Sequence, residues 1–147
     1  TVVLSSLRGD TGICVDLVKG HHNLGISSEN GYIVPLDCGA TGKTLLAAQS
    51  DELVERLIQN YPGLEEKLRN QVKEIRQRGY CISEGEVDEG VAAVAVPLPM
   101  PDHIYTLTYS GPVERLRGLD YMVLVHSLQQ AVKNILLKCD GKRKEAL

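Results

Sequence analysis

Cys38-Gly39-Ala40-Thr41-Gly42-Lys43-Thr44 is the stretch whose residue types and spacing promise most chemistry. A small-residue turn running into Gly-Lys-Thr has the look of a phosphate loop. That loop needs a glycine five positions before Gly42. Asp37 stands there, its charge would repel phosphate, and no βαβ unit flanks the segment, so nucleotide binding is rejected. What remains is a tight turn entering a helix. The first amides of a helix lack intrahelical partners and the dipole favours an anion, so Cys38, Gly39, Ala40 and Thr41 could hold a carboxylate through main-chain donors. The same residues also read as a plain helix start packed on a sheet. Cys38 adds an alternative, a thiol redox switch or an enzyme, because a helix N-terminus lowers a thiol pKa.

Two further segments carry polar groups. Ser83 to Gly90 is dense in acids; it reads either as a solvated strand and loop or as a place where Ser83 or Glu86 projects into a pocket. Thr108 and Ser110 lie two apart on a strand, so their hydroxyls share one face, toward solvent or toward a cavity. Other site chemistries find no support. His21 and His22 are adjacent while His103 and His126 stand alone, without the spacing of a metal motif. There is no nucleophile elbow and no recognisable Ser-His-Asp or Cys-His set. No cofactor is called for.

Positioning such groups takes a folded scaffold, and the pattern supplies one. Thr1–Leu7 and Ile13–Val18 are β-branched runs around the turn 8–12, a hairpin. Tyr32–Leu36 is extended, with Pro35 placing it at an edge or a strand end. Helices follow: one from about Gly39 to Ala48, one over Asp51–Asn60 with Ser50 as N-cap, and one over Leu64–Arg78 with Gly79 as left-handed C-cap. The period then changes to two over Tyr80–Glu86, Val91–Leu98 and Ile104–Ser110, the last pair joined by a turn at 99–102. Leu116–Lys138 reads as one long amphipathic helix, and the polar residues 141–147 as a frayed tail. Strands, helices, strands, helix is the order of an α+β fold, an antiparallel sheet with helices packed on it.

Composition narrows the class. The 147 residues suit one domain with a full core; 43% are hydrophobic and 24% charged, which argues against disorder. With no Phe and no Trp, the core must be aliphatic. The net charge of −3 makes the chain a poor direct binder of DNA, since neutralising phosphates needs clustered Lys and Arg. No apolar run approaches the length of a membrane span. The four cysteines are widely spaced, which suits reduced thiols and a cytoplasmic protein. The chain opens on Thr1 directly into a strand and reads as a fragment that starts at a domain boundary.

Four segments in register are similar to the C-terminal effector-binding domain of IclR-type transcriptional regulators. They are Val34 to Ala47, Ile75 to Tyr80, Glu86 to Pro97, and Thr108 to Pro112. The resemblance covers essentially the whole chain. It implies a GAF-like fold, with an antiparallel β-sheet flanked by α-helices, and residues 1–147 as the effector-binding domain. A winged helix-turn-helix domain, absent from this chain, would precede it and do the DNA binding. It implies a small-molecule effector, expected to be an organic acid, and a homodimer or homotetramer. Carried over by position, the pocket falls on Cys38, Gly39 and Ala40, on Ser83 and Glu86, on Ala93, and on Thr108 and Ser110. Asp37, Gly39, Ser83 and Ala93 depart from the commoner residues of the family, which implies a ligand different from that of the commoner pocket. A module that only oligomerises, using the stripe on the last helix, is the remaining alternative.

Overall fold

The chain is described by a computed structural model over residues 1–21 and 29–146. The polar stretch 22–28, with His22, lies outside the described residues. Six strands form one antiparallel sheet: β1 (Val2–Arg8), β2 (Thr11–Val18), β3 (Ile33–Val34), β4 (Cys81–Glu84), β5 (Val91–Pro99) and β6 (Ile104–Pro112). Their order across the sheet is β3-β2-β1-β6-β5-β4. Helices α1 (Gly39–Ala47), α2 (Asp51–Ile58) and α3 (Glu65–Arg78) come between the third and fourth strands, and α4 (Val113–Leu119) and α5 (Tyr121–Ala146) after the last. This is the expected α+β arrangement, a sheet flanked by helices.

Alternation along the strands sends residues to two different cores. On one face, Ala95 and Cys81 pack with Leu36, Leu45, Leu46, Leu57, Ile58 and Leu68 beneath α1, α2 and α3. On the other, Ala92, Val94 and Val96 pack with Leu116, Val125 and Leu128 of α4 and α5. Burying each of these leucines contributes about 1.5–3 kcal/mol. Both cores are aliphatic, as the absence of Phe and Trp requires.

The face beneath α1 changes character along its length. The strand register places Ser83, Ala93 and Ser110 in one row across β4, β5 and β6. The next row holds Cys81, Ala95, Thr108 and, on β1, Val3. A third pairs Thr106 with Ser5. A sheet face that would ordinarily be Val and Leu is here small and hydroxylated, so a helix laid over it leaves room.

Local signals set the helix ends. Ser50 Oγ accepts from Leu53 N at 3.3 Å, capping α2 as its sequence predicts. Gly79 ends α3 at φ +81°, with its N–H donated to Ile75 O at 2.7 Å. The expectation of one helix over Leu116–Lys138 is corrected. The helical segment starts at Val113 and breaks at Asp120, the one non-glycine residue at positive φ (66°) among those described. Asp120 Oδ1 accepts from Met122 N at 2.9 Å and its carbonyl from Leu124 N, so it serves as the N-cap of α5. The tail is not frayed: α5 continues to Ala146. The extended edge is also shorter than expected, only Ile33–Val34.

Candidate functional site

Helix α1 enters the molecule through Cys38, whose backbone is extended (φ −147°, ψ 160°) and whose side chain caps nothing. Gly39 follows at φ +75°, and a Cβ there would lie 2.7 Å from Val87 Cγ2. Both the turn and the close approach of the 85–90 loop therefore call for glycine. One turn on, Gly42 packs so tightly that a Cβ would lie 1.6 Å from the Pro35 carbonyl oxygen. The glycines of this turn thus serve backbone packing, which accounts for the pattern that mimics a phosphate loop.

The start of α1 overhangs the hydroxylated rows of the sheet. Between them lies a cavity of about 90 Å³. At about 10–15 Å³ per enclosed water, that is room for roughly six to nine waters or ligand atoms. Cys38, Gly39, Ala40, Thr41, Ser83, Glu86, Ala93, Thr108 and Ser110 all line it. The nine residues singled out in the sequence are thus brought together on one cavity. Val3 and Ser5 of β1, Tyr32, and Val87 and Asp88 of the loop are among the other residues that line it. The sequence reading passed over these; in Ser5 the only available signal was a serine at an inward position of a strand.

The helix-start amides are not free. Gly39 N donates to Glu86 Oε2 at 2.8 Å, and Ala40 N donates to Ser83 Oγ at 2.9 Å. The expectation of unpaired amides at 39 and 40 is corrected to this extent: the helix does bind a carboxylate, and the carboxylate is the chain's own. Thr41 Oγ1 and Thr108 Oγ1 share a hydrogen bond of 3.0 Å that ties α1 to the middle of the sheet.

Lys43, one turn into α1, completes the arrangement. Its ammonium lies 2.8 Å from Glu86 Oε1, and its side chain is only 8% exposed. Such a buried charge needs a partner, and Glu86 is that partner. Burial works to raise the Glu86 pKa; the Lys43 hydrogen bond, the Gly39 N–H and the nearby positive charge outweigh it and hold the carboxyl below the ordinary glutamate range. Lys43 was legible only as a member of the rejected phosphate loop. Its true signal is a lysine among the small and apolar residues of a helix with no exposed face to receive it.

Cys38 behaves against expectation. Desolvation raises its thiol pKa, and the charges of Asp37 and Glu86 raise it further, overcoming the Lys43 ammonium. The lowered thiol expected at a helix start is thereby corrected, because an acid already occupies the positive end of the dipole. All four cysteines are free thiols. Among the described residues no cluster of three or more His, Cys, Asp or Glu could hold a metal ion.

On the opposite sheet face, Glu84 follows Ser83 directly. It accepts two hydrogen bonds from Arg117 of α4, at 2.9 and 2.6 Å, and one from the Tyr121 hydroxyl of α5. These bonds take its pKa down to about 2. Consecutive residues of β4 therefore touch the cavity on one side and the last two helices on the other.

Comparison with known proteins agrees with this architecture. The family model described as Bacterial transcriptional regulator IclR C-terminal matches residues 1–137. The chain is 34% identical over 107 residues to the Probable transcriptional regulator SauR of Cupriavidus necator, covering 67% of this chain and 42% of that protein. It is 36% identical over 127 residues to the HTH-type transcriptional regulator Rv1719 of Mycobacterium tuberculosis, covering 80% and 49%. The chain thus spans about half or less of the length of these relatives. An IclR-family transcriptional regulator from Rhodococcus sp. superimposes with a TM-score of 0.81 at 26% identity, over 92% of this chain and 55% of that one. The effector domain of an IclR regulator from Acinetobacter sp. ADP1 shares the fold, with a TM-score of 0.78 at 17% identity over 90% and 83%. The relatives are transcriptional regulators and not enzymes, which leaves the redox or enzymatic alternative without support. The chain belongs to the IclR family of bacterial transcriptional regulators and corresponds to their C-terminal domain.

Proposed function

We propose that this domain senses a small organic acid and passes its presence to a DNA-binding domain preceding it in a cytoplasmic homodimer or homotetramer. The observation that carries the reading is the convergence of the α1 N-terminus, the Ser83 and Ser110 hydroxyls and Glu86, itself paired with Lys43, on one cavity. The effector's carboxylate takes the place of the Glu86 carboxylate on the Gly39 N–H. Exchange is electrostatically feasible because an incoming acid can pair with Lys43, so that no buried charge is left alone. Glu86 belongs to the loop between β4 and β5, with Val87 and Asp88 over the cavity mouth, and its release frees that loop. Ser83 then connects the event through Glu84 to Arg117 and Tyr121, the residues that seat α4 and α5.

Such a signal requires the acid to bind two arrangements of the oligomer unequally; equal binding would shift nothing. DNA contact belongs to the preceding domain, in keeping with the net charge of −3 here.

The test is calorimetric titration of the chain with acetate and pentanoate. Glu86→Ala frees the Gly39 amide and the Lys43 ammonium, and we expect it to tighten binding by about tenfold, or about 1.4 kcal/mol. Ser110→Ala is expected to weaken it. Equal affinities for wild type and both variants would refute the assignment.

A further inference from the structure

A second cavity, of about 200 Å³, lies between α3 and β4, the edge strand of the sheet; among the described residues it shares no lining with the first. Gln71, Glu74 and Arg78, spaced three and four residues apart, lie along one face of α3 and form one wall. Lys43 also lines it, but its ammonium is already engaged by Glu86.

Three features of this cavity lack partners. Gln71 Oε1 is buried without a hydrogen bond among the described residues, and buried polar atoms are nearly always satisfied. Glu74 and Arg78 stand four apart with the acid first, the arrangement that ordinarily pairs on a helix, yet among the described residues neither enters an ion pair. The third is main-chain. Gly85 N donates to Val91 O at 2.8 Å, and bonded and unbonded positions alternate along an antiparallel pair. Ser83 and Cys81 are therefore bonded to β5, and Ile82 turns its N–H and C=O outward along the open edge, where it lines the cavity.

We propose that this cavity binds a free aliphatic α-amino acid as a zwitterion, its carboxylate on Arg78 and the Ile82 N–H and its ammonium on Glu74 and Gln71 Oε1. The inference is independent of the effector-site reading above. A simple carboxylate drawn to Arg78 would also meet Glu74, and a simple amine the reverse; an ion carrying both signs matches both. The Cβ atoms of such a helical pair lie about 5–6 Å apart, which suits opposite charges on one carbon. Ile75 and Cys81, both buried, offer apolar contact to the side chain. At about 10–15 Å³ per water the cavity admits roughly 13–20 water-sized atoms, so an amino acid of valine's size fits with water beside it.

L-Valine, L-valinamide and L-2-hydroxy-3-methylbutanoate have the same shape and carry both charges, the positive alone and the negative alone. Titrating each into the isotope-labelled 147-residue chain, with amide signals followed by NMR, gives affinity and place together. Valine is expected to bind at least about tenfold more tightly than either relative, the order of effect of one lost charge-assisted bond. It should move the Arg78 and Ile82 signals and leave Gly39 and Ala40 in place. Arg78→Ala and Glu74→Gln should each weaken valine by about tenfold for the same reason. Both side chains are exposed, and an otherwise unchanged spectrum would show that the fold survives. Gln71→Leu should weaken valine yet melt no lower than the wild type, since it removes an unpaired buried atom. Equal binding of the three compounds overturns the proposal, as do valine shifts centred on Gly39 and Ala40 or undiminished binding by Arg78→Ala. Absence of any shift at tens of millimolar valine does the same, and shows that Gln71 faces only water; none of these results touches the effector-site reading.

Discussion

Helices α1 and α2 are neighbours in the chain, yet their first amides are satisfied in opposite ways. Helix α2 is capped from within: Ser50 accepts from Leu53 three residues on, and Asp51 and Glu52 occupy its first turn. Helix α1 has neither device. Cys38 offers no side-chain cap and no acid stands in its first turn. Its amides are met instead by Ser83 and Glu86, 43 and 47 residues away along the chain. A local cap cannot leave without fraying its own helix. A cap delivered by a distant loop can be exchanged for another acceptor while the helix stays where it is. The end of α1 is therefore suited to binding, and the end of α2 to stability alone.

The most damaging way to break this comparison is to unseat α1. Gly42→Ala places a methyl against the Pro35 carbonyl oxygen, a clash the backbone can relieve only by moving the helix. We expect a loss of at least about 3 kcal/mol in urea unfolding. A loss under about 1 kcal/mol would mean that α1 is not held as described.

Next in size is the contrast of caps. Ser83→Ala leaves the Ala40 amide, in a buried hydrogen bond, without its acceptor, and should lose about 2 kcal/mol. Ser50→Ala exposes its amide to water and should lose about 1 kcal/mol or less. Reversal of that order would remove the distinction between the two helix starts.

The smallest effect is in acid. The Glu86 pKa is depressed in the folded state, so its contribution is fully present above the unfolded value near 4.5 and is lost as pH falls through the folded value. Glu84 acts with the same sign, over a window reaching from about 4.5 down to about 2. Urea midpoints between pH 6 and pH 3 should therefore fall less steeply in Glu86→Gln than in the wild type. Identical slopes would show that Glu86 is not held by Lys43 and Gly39 in solution.

The contrast of caps also explains what could be read from sequence. Ser50, Gly79 and the period-two strands were legible because their causes lie within a few residues. Eight of the nine pocket positions were legible as a set only through the family resemblance, which did not include Thr41; spacing alone pointed to the turn at 38–41 and to the shared face of Thr108 and Ser110. The partners of Gly39 and Ala40 were not, since nothing within four residues announces Ser83 or Glu86 as a cap. Lys43 was hidden by a motif it does not serve. Asp120 was readable in principle, as an acid before Tyr121-Met122-Val123, but the apolar stripe on either side made the helix look continuous. Ser5 became visible only when the sheet register set it opposite Thr106.

The most direct measurement is a crystal structure of the chain soaked with pentanoate. The carboxylate is expected within hydrogen-bond distance of Gly39 N and the Lys43 ammonium, with Glu86 turned away and the 85–90 loop displaced. Density for pentanoate elsewhere, with Glu86 still seated on Gly39 and Lys43, would contradict the claim that this helix start is where the effector binds.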